Sequence, residues 1–183
     1  MQLIAATAGI CMLLTVSASD AATCRANLQS STPTVRFLTT SEVVNDQETT
    51  LSWTRCAIGQ TWENSACKGE PTAMNWDEAV ALVDEFNLDG MNGQDDWRLP
   101  KVPELASIVE RQCFNPRVNE TVFPGAPSVL FWSSMEKKGE TDYVYALDFG
   151  AGAAQATRKD SKGAVRLVRG GPWGTPPKMS DSQ

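Results

Sequence analysis

Residues 75–105, NWDEAVALVDEFNLDGMNGQDDWRLPKVPEL, carry the start signals of two helices and the loop that joins them. Asn75 is followed three residues on by Glu78, the spacing of a capping box, in which the Asn75 side chain accepts from the Glu78 amide and the Glu78 carboxylate reaches back to the Asn75 amide. Ala79, Leu82, Val83 and Phe86 recur at spacings of three and four. That period makes one apolar stripe and predicts a helix that stops near Asn87, before Gly90 and Gly93. Pro103-Glu104-Leu105 opens a second helix, because proline lacks only an amide hydrogen that the first turn leaves unbonded. Its buried side is Leu105, Ile108 and Val109, and Asn115-Pro116 sets its end near Cys113. Between the helices, Asp96-Trp97-Arg98-Leu99-Pro100 alternates, so Trp97 and Leu99 turn inward. Arg98 then pairs with a nearby carboxylate or a backbone carbonyl and fixes the loop.

Strand patterns flank this helical centre. Upstream, Thr40 to Val44 and Thr49 to Arg55 bracket the turn-rich Asn45-Asp46-Gln47-Glu48, and Leu51, Trp53 and Arg55 alternate with polar neighbours, which predicts a hairpin. Downstream come Leu130 to Ser134, Tyr143 to Phe149 with Tyr143, Tyr145, Leu147 and Phe149 on one face, and Ala164 to Arg169. Gly150, Gly152 and Gly163 supply turns or bulges between the last two. Two central helices with antiparallel strands make an α+β fold.

Of the 183 residues, the first carry an apolar run, Leu3 to Val16, and then small residues from Ser17 to Ala22. This reads as a secretory signal peptide over 1–21, cleaved after Ala21 or, failing that, after Ala18. The run falls short of the roughly 20 residues that cross a bilayer as a helix, so no stable membrane insertion is expected after cleavage. What remains is enough for one core: a polar arm over 22–42 held by Cys24 alone, a compact domain over 43–171, and a disordered, proline-containing tail over 172–183.

Four cysteines follow the leader: Cys24, Cys56, Cys67 and Cys113. An even number in an exported chain points to two disulfides. Of three possible connectivities the polar, turn-forming segment between Cys56 and Cys67 favours a local bridge there, with Cys24–Cys113 tying the arm to the body. The chain has no histidine. A Ser-His-Asp or Cys-His catalytic set, a His-ligated haem and a His-based metal centre are thereby excluded, and the reading is a protein that binds rather than one that catalyses, without a cofactor.

The formal charge of −6 argues against nucleic acid as partner. Basic residues nevertheless gather late in the chain at Arg158, Lys159, Lys162, Arg166 and Arg169. They form the candidate anion-binding stretch, although alternate positions of a strand point to opposite faces. Asp89, Asn92, Asp95 and Asp96 crowd one glycine-containing loop without the spacing of an EF-hand, so a solvated turn is expected there rather than a calcium cage. In Trp132-Ser133-Ser134 the hydroxyls have no activating base, and a buried strand end is the simpler reading.

The ordered series Leu51-Ser52-Trp53-Thr54-Arg55-Cys56, Gly59-Gln60-Thr61-Trp62, Cys67, Trp76, Asp96-Trp97-Arg98-Leu99-Pro100 with Glu104-Leu105, Asn115-Pro116, Phe123-Pro124, Phe131-Trp132-Ser133-Ser134 and Val165-Arg166-Leu167-Val168-Arg169 resembles the Lcl C-terminal domain family, the domain that ends a bacterial collagen-like adhesin. The resemblance runs from roughly Val43 to Gly171, and several motifs in order make it specific. It implies an exported bacterial module with a fold similar to C-type lectins, binding an extracellular and possibly sulfated glycan or a surface protein partner. Sulfate recognition rests on clustered Lys and Arg, which places it at Arg158, Lys159, Lys162 and Arg166. A subunit of a surface assembly such as a pilus is the alternative. Arg98-Leu99-Pro100 with Glu104 is also similar to formylglycine-generating enzymes, but the reactive cysteine pair those oxidases carry near the C-terminal end has no counterpart after Cys113.

Overall fold

Why the arm does not hang free is visible in its hydrogen-bonding residues, Ser30, Ser31 and Thr32, which find one buried acceptor far along the chain. In the computed structural model, which describes residues 21–171, the Glu110 carboxylate accepts from Ser30 Oγ at 2.5 Å, Ser31 N at 2.9 Å, Thr32 N at 2.9 Å and Thr32 Oγ1 at 2.9 Å. Asn119 adds a bond to Thr32 O at 2.7 Å. The expectation that Cys24 alone holds the arm is therefore corrected: Cys24–Cys113 is one of several ties. The leader expected over 1–21, apart from Ala21 itself, and the tail expected over 172–183 lie outside the described residues.

In chain order the elements are β1 (Thr23–Cys24), a 3-10 turn (Thr34–Arg36), β2 (Phe37–Thr39), β3 (Val43–Asp46), β4 (Leu51–Thr54), β5 (Thr61–Glu63), β6 (Ala66–Lys68), α1 (Trp76–Asp89), α2 (Val102–Ser107), β7 (Cys113–Phe114), β8 (Leu130–Glu136), β9 (Tyr143–Asp148), β10 (Ala153–Arg158) and β11 (Val168–Gly170). The predicted hairpin is β3–β4, with Val44 opposite Trp53 and Asn45 opposite Ser52. It sits in a four-stranded antiparallel sheet of order β11-β4-β3-β2, beside a three-stranded sheet of order β10-β9-β8 and two short pairs, β1-β7 and β5-β6. Two disulfides, Cys24–Cys113 and Cys56–Cys67, complete a single α+β domain with the favoured connectivity.

The capping box starts α1 as read: Glu78 N donates to Asn75 Oδ1 at 2.9 Å and Asn75 N to Glu78 Oε2 at 2.7 Å. The helix runs two residues beyond Asn87 and stops where Gly90, at φ 66°, turns its amide back to Phe86 O. The second helix is shorter than expected. It ends at Ser107 because the following backbone is captured by another segment: Glu110 N donates to Arg117 O, and Val109 bridges Val118. Ile108 remains buried all the same.

Apolar residues collect in two adjoining clusters. Val44, Leu51, Trp53, Leu105, Ile108, Phe131 and Leu147 belong to one; Trp97, Leu99, Trp132, Val144, Ala146 and Leu167 belong to the other. Strand β9 serves both, which modifies the one-face expectation for it: Val144, Ala146 and Leu147 are buried while Tyr143 and Tyr145 are only half-buried. Strand β10 was not foreseen. Its alanines have little preference for a strand, and pairing to β9 overrides that local preference.

Glu110 also makes the fold sensitive to acid. Burial pushes its carboxyl pKa up, but the hydrogen bonds from Ser30 and from the amides of Gln112, Ser31 and Thr32 outweigh burial and hold it at about 2. A carboxyl whose folded pKa is depressed stabilises above its unfolded value near 4.5 and loses that contribution as pH falls toward 2. Urea melts between pH 6 and pH 2 are expected to show that loss, and Glu110→Gln should flatten it over the same window. An unchanged acid slope in the variant would assign the loss elsewhere.

Candidate functional site

The predicted basic residues fold into a place where each surface cation already has an acid. Arg158 donates to Asp160 through Nε at 3.1 Å and Nη2 at 2.8 Å. Lys159 Nζ lies 3.6 Å from Glu136 Oε1 and 4.4 Å from the Trp76 ring. Lys162 Nζ bonds Glu78 Oε2 at 2.8 Å, the oxygen that also caps α1. The Lys162 ammonium holds the Glu78 carboxyl below its ordinary pKa, and Arg158 does the same to Asp160. Arg158 and Lys159 border a depression of about 240 Å³ with Asn75, Asp77, Asp142 and Asp160. A sulfate arriving there meets paired charges rather than a basic field.

Arg166 does not join them. It is 2 % exposed, lies 4.6 Å from the Phe123 ring and 5.7 Å from Phe131, and donates to the carbonyls of Thr54 and Arg55. Burial lowers its pKa, and among the described residues no carboxylate forms an ion pair with it. Its place in the ligand set is corrected: carbonyl dipoles and aromatic faces hold the guanidinium inside the core, out of reach of a surface ligand.

A different cleft, of about 220 Å³, has the composition of a polar recognition site. Its lining includes Asn45, Ser52, Asn92, Gln94, Trp97 and Arg169. Three of these follow from strand register. Asn45 lies opposite Ser52, and Ser52 opposite Arg169, so the three side chains make one row across β3, β4 and β11. Ser52 Oγ donates to Asn45 Oδ1 at 2.7 Å. Arg169 is held by Asp96, with Nε 2.5 Å from Oδ1 and Nη2 3.3 Å from Oδ2.

The facing wall is a tight Asn-Gly turn. Asn92 at φ 53° and Gly93 at φ 71° both adopt the left-handed backbone that this turn requires, and Met91 and Gln94 bond each other on either side. Behind it Trp97 is clamped: Asn87 accepts from Trp97 N at 3.0 Å and donates to Trp97 O at 2.8 Å, and Phe86 meets the indole edge-on at 6.1 Å. The indole N–H of Trp97 is buried without a partner, as is that of Trp53 in the core, whereas those of Trp76 and Trp132 donate to Ser133 O and Met74 O. An unpaired buried donor costs about 1–3 kcal/mol, a cost the fold carries at both positions.

Other candidates resolve into structural roles. Arg98 donates to both Glu104 oxygens and to Gly170 O. Ser133 is fully buried, with Oγ donating to Tyr145 O at 2.6 Å. Among the described residues no three carboxylate or cysteine side chains are placed to hold a metal ion. A third cleft, of about 350 Å³, includes Glu42, Cys56, Gln60, Trp62 and Phe86. Arg55 stacks on Trp62 at 4.1 Å, and the Gln60 amide is spent on Gly69 O, Gly125 O and Ala57 N.

The Asn45–Ser52–Arg169 row escaped a reading of the sequence because it is assembled from residues more than a hundred positions apart. Alternation in the first hairpin places Asn45 and Ser52 on one face, and only the docking of β11 adds Arg169. No curated protein matches the chain. The hairpin, the Trp97 loop and Arg169 of β11, which together build the cleft, fall within residues 42–169, the span matched by the family model described as the Lcl C-terminal domain, and the protein belongs to that family.

Proposed function

We propose that this protein is an exported, adhesin-type binding module that takes an uncharged sugar residue of an extracellular glycan in the cleft between Asn45, Ser52, Arg169 and the turn at Asn92. The observation that carries the reading is the row of amide and hydroxyl groups that Asn45, Ser52, Asn92 and Gln94 bring to this cleft. Such groups match sugar hydroxyls, which donate and accept at once. The one cation in the lining, Arg169, is neutralised by Asp96. Two disulfides support an oxidising compartment, and among the described residues no helix is long and apolar enough to cross a membrane.

A glycan array probed with the oxidised chain at low and physiological salt tests this. Binding to neutral glycans is expected, unchanged by salt, lost by about tenfold or more in Asn45→Ala/Gln94→Ala, where about 1.4 kcal/mol of contacts is a factor of ten. It should persist in Arg158→Ala/Lys159→Ala/Lys162→Ala. Salt-sensitive binding to sulfated glycans, abolished by that triple change, would overturn the neutral-sugar reading and return the function to the basic residues. Silence at both salts would favour a surface protein as the partner. The alternative of a surface assembly is supported by one feature, the edge of β10, with which no strand among the described residues pairs.

A further inference from the structure

Among the described residues, the longer sheet edges are covered with one exception. The outer edge of β8 is bonded by Ala164, through Trp132 N to Ala164 O at 3.0 Å and Ala164 N to Leu130 O at 2.8 Å, and by Pro100, which accepts from Ser134 N at 2.8 Å. The edge of β11 is closed by reciprocal bonds between Val168 and Arg98. Strand β2 has three residues only. Strand β10 has six, in unbroken register with β9 from Ala153 to Arg158, and among the described residues no strand pairs with its other side.

Its sequence, Ala153-Ala154-Gln155-Ala156-Thr157-Arg158, lacks the devices that protect such edges. No proline and no charge appears before Arg158, and the one register irregularity of this sheet lies between β8 and β9. Every residue but Thr157 is exposed, and three are alanines, small enough for another backbone to come close.

The geometry fixes which groups are available. Lys159 N donates to Asp142 O at 2.9 Å and so continues the β9–β10 ladder at an odd-numbered residue. Hydrogen-bonded positions alternate in an antiparallel pair, so Ala153, Gln155 and Thr157 turn toward β9, and Ala154, Ala156 and Arg158 turn their amides and carbonyls outward. The Arg158 carbonyl is already taken by Ser161 N at 3.1 Å.

We propose that β10 pairs antiparallel with β10 of a second copy of this chain, in the register that sets Gln155 opposite Gln155. Ala154 of each copy then exchanges both bonds with Ala156 of the other, using groups that no backbone bond among the described residues occupies and leaving the Arg158 carbonyl where it is. The two Gln155 amides face one another and can each donate and accept. Charge selects the orientation. Antiparallel pairing sets each Arg158 opposite Gly152 and keeps the two guanidinium groups about 20 Å apart along the strands, whereas parallel pairing would stack Arg158 on Arg158 and Lys159 on Lys159. The six strands of the two copies then form one continuous sheet.

Sedimentation equilibrium of the oxidised chain, run without glycan up to about 1 mM, where even a millimolar Kd half-fills an interface, reads the proposal independently of the sugar reading. A concentration-dependent dimer is expected. Ala156→Pro, which deletes an outward amide and leaves the β9 ladder intact, should abolish it, and Ala154→Lys/Ala156→Lys should do the same without any backbone change. Gln155→Cys should form a symmetric disulfide dimer at least about tenfold faster than Thr157→Cys, since directly opposite strand positions lie closest. A chain monomeric throughout the range, or a dimer indifferent to both edge variants, would overturn the proposal.

Discussion

Replacing Cys24 and Cys113 together by serine is expected to lower the unfolding free energy by about 4–5 kcal/mol, against about 3 for the Cys56/Cys67 pair. The difference follows from loop length. Cys24–Cys113 spans 89 residues and Cys56–Cys67 spans 11, and a longer closed loop removes more conformations from the unfolded chain. Urea melts of the two double variants read it directly. The arm supplies a second readout. Since Glu110 and Asn119 hold Ser30 to Thr34 independently of Cys24, these residues should stay resistant to proteolysis at neutral pH in the Cys24/Cys113 variant. They should become cleavable when Glu110 is also changed to Gln. Cleavage of the arm in the cysteine variant alone would show the bridge to be the essential tie. Equal melts for the two pairs would mean that strain or residual structure, not loop length, governs them.

Glu104→Ala is expected to cost about 3–5 kcal/mol, the usual penalty for leaving one member of a buried ion pair behind. Glu104 is 1 % exposed and receives Arg98 Nη1 at 2.8 Å, Arg98 Nη2 at 2.6 Å and the Lys101 amide at 2.6 Å. Its loss strands the Arg98 guanidinium and uncaps α2 in one step. Arg98 also reaches Gly170 O, and its backbone pairs with Val168, so the ion pair bears on how β11 is seated. The double change Arg98→Met/Glu104→Leu should recover much of the stability, because two apolar side chains need no partners. A Glu104→Ala variant within about 1 kcal/mol of the parent, the range of exposed pairs, would mean that water reaches this pair.

How far the sequence could be read depended on whether a feature is local. The capping box of Asn75 and Glu78, the β3–β4 hairpin and the inward turn of Trp97 and Leu99 each rest on a few neighbouring residues, and all three stand in the structure. The two disulfides were legible because one of the bridges closes a short polar segment. What failed was set by distant partners. The end of α2 is decided by Arg117 and Val118, the strand identity of Ala153–Arg158 by β9, and the burial of Arg166 by Phe123, Phe131 and the Thr54 carbonyl. The basic stretch misled for the same reason. Its counter-ions Glu78 and Glu136 come from elsewhere in the chain and are invisible to a local count of lysines and arginines.

Were tension applied along the chain, the Cys24–Cys113 bridge would decide the route it takes. A pull applied at Ala22 and resisted beyond Phe114 passes from one sulfur to the other and bypasses the chain between two cysteines 89 positions apart. At roughly 3.4 Å per extended residue, about 300 Å of contour is withheld from stretching as long as the bridge is intact. Asn45, Ser52, Asn92, Gln94 and Trp97 all lie inside that covalent loop, while Arg169 lies outside it. Of the polar groups in the cleft, Arg169 on β11 is therefore the one that the sulfur bridge does not shield from tension.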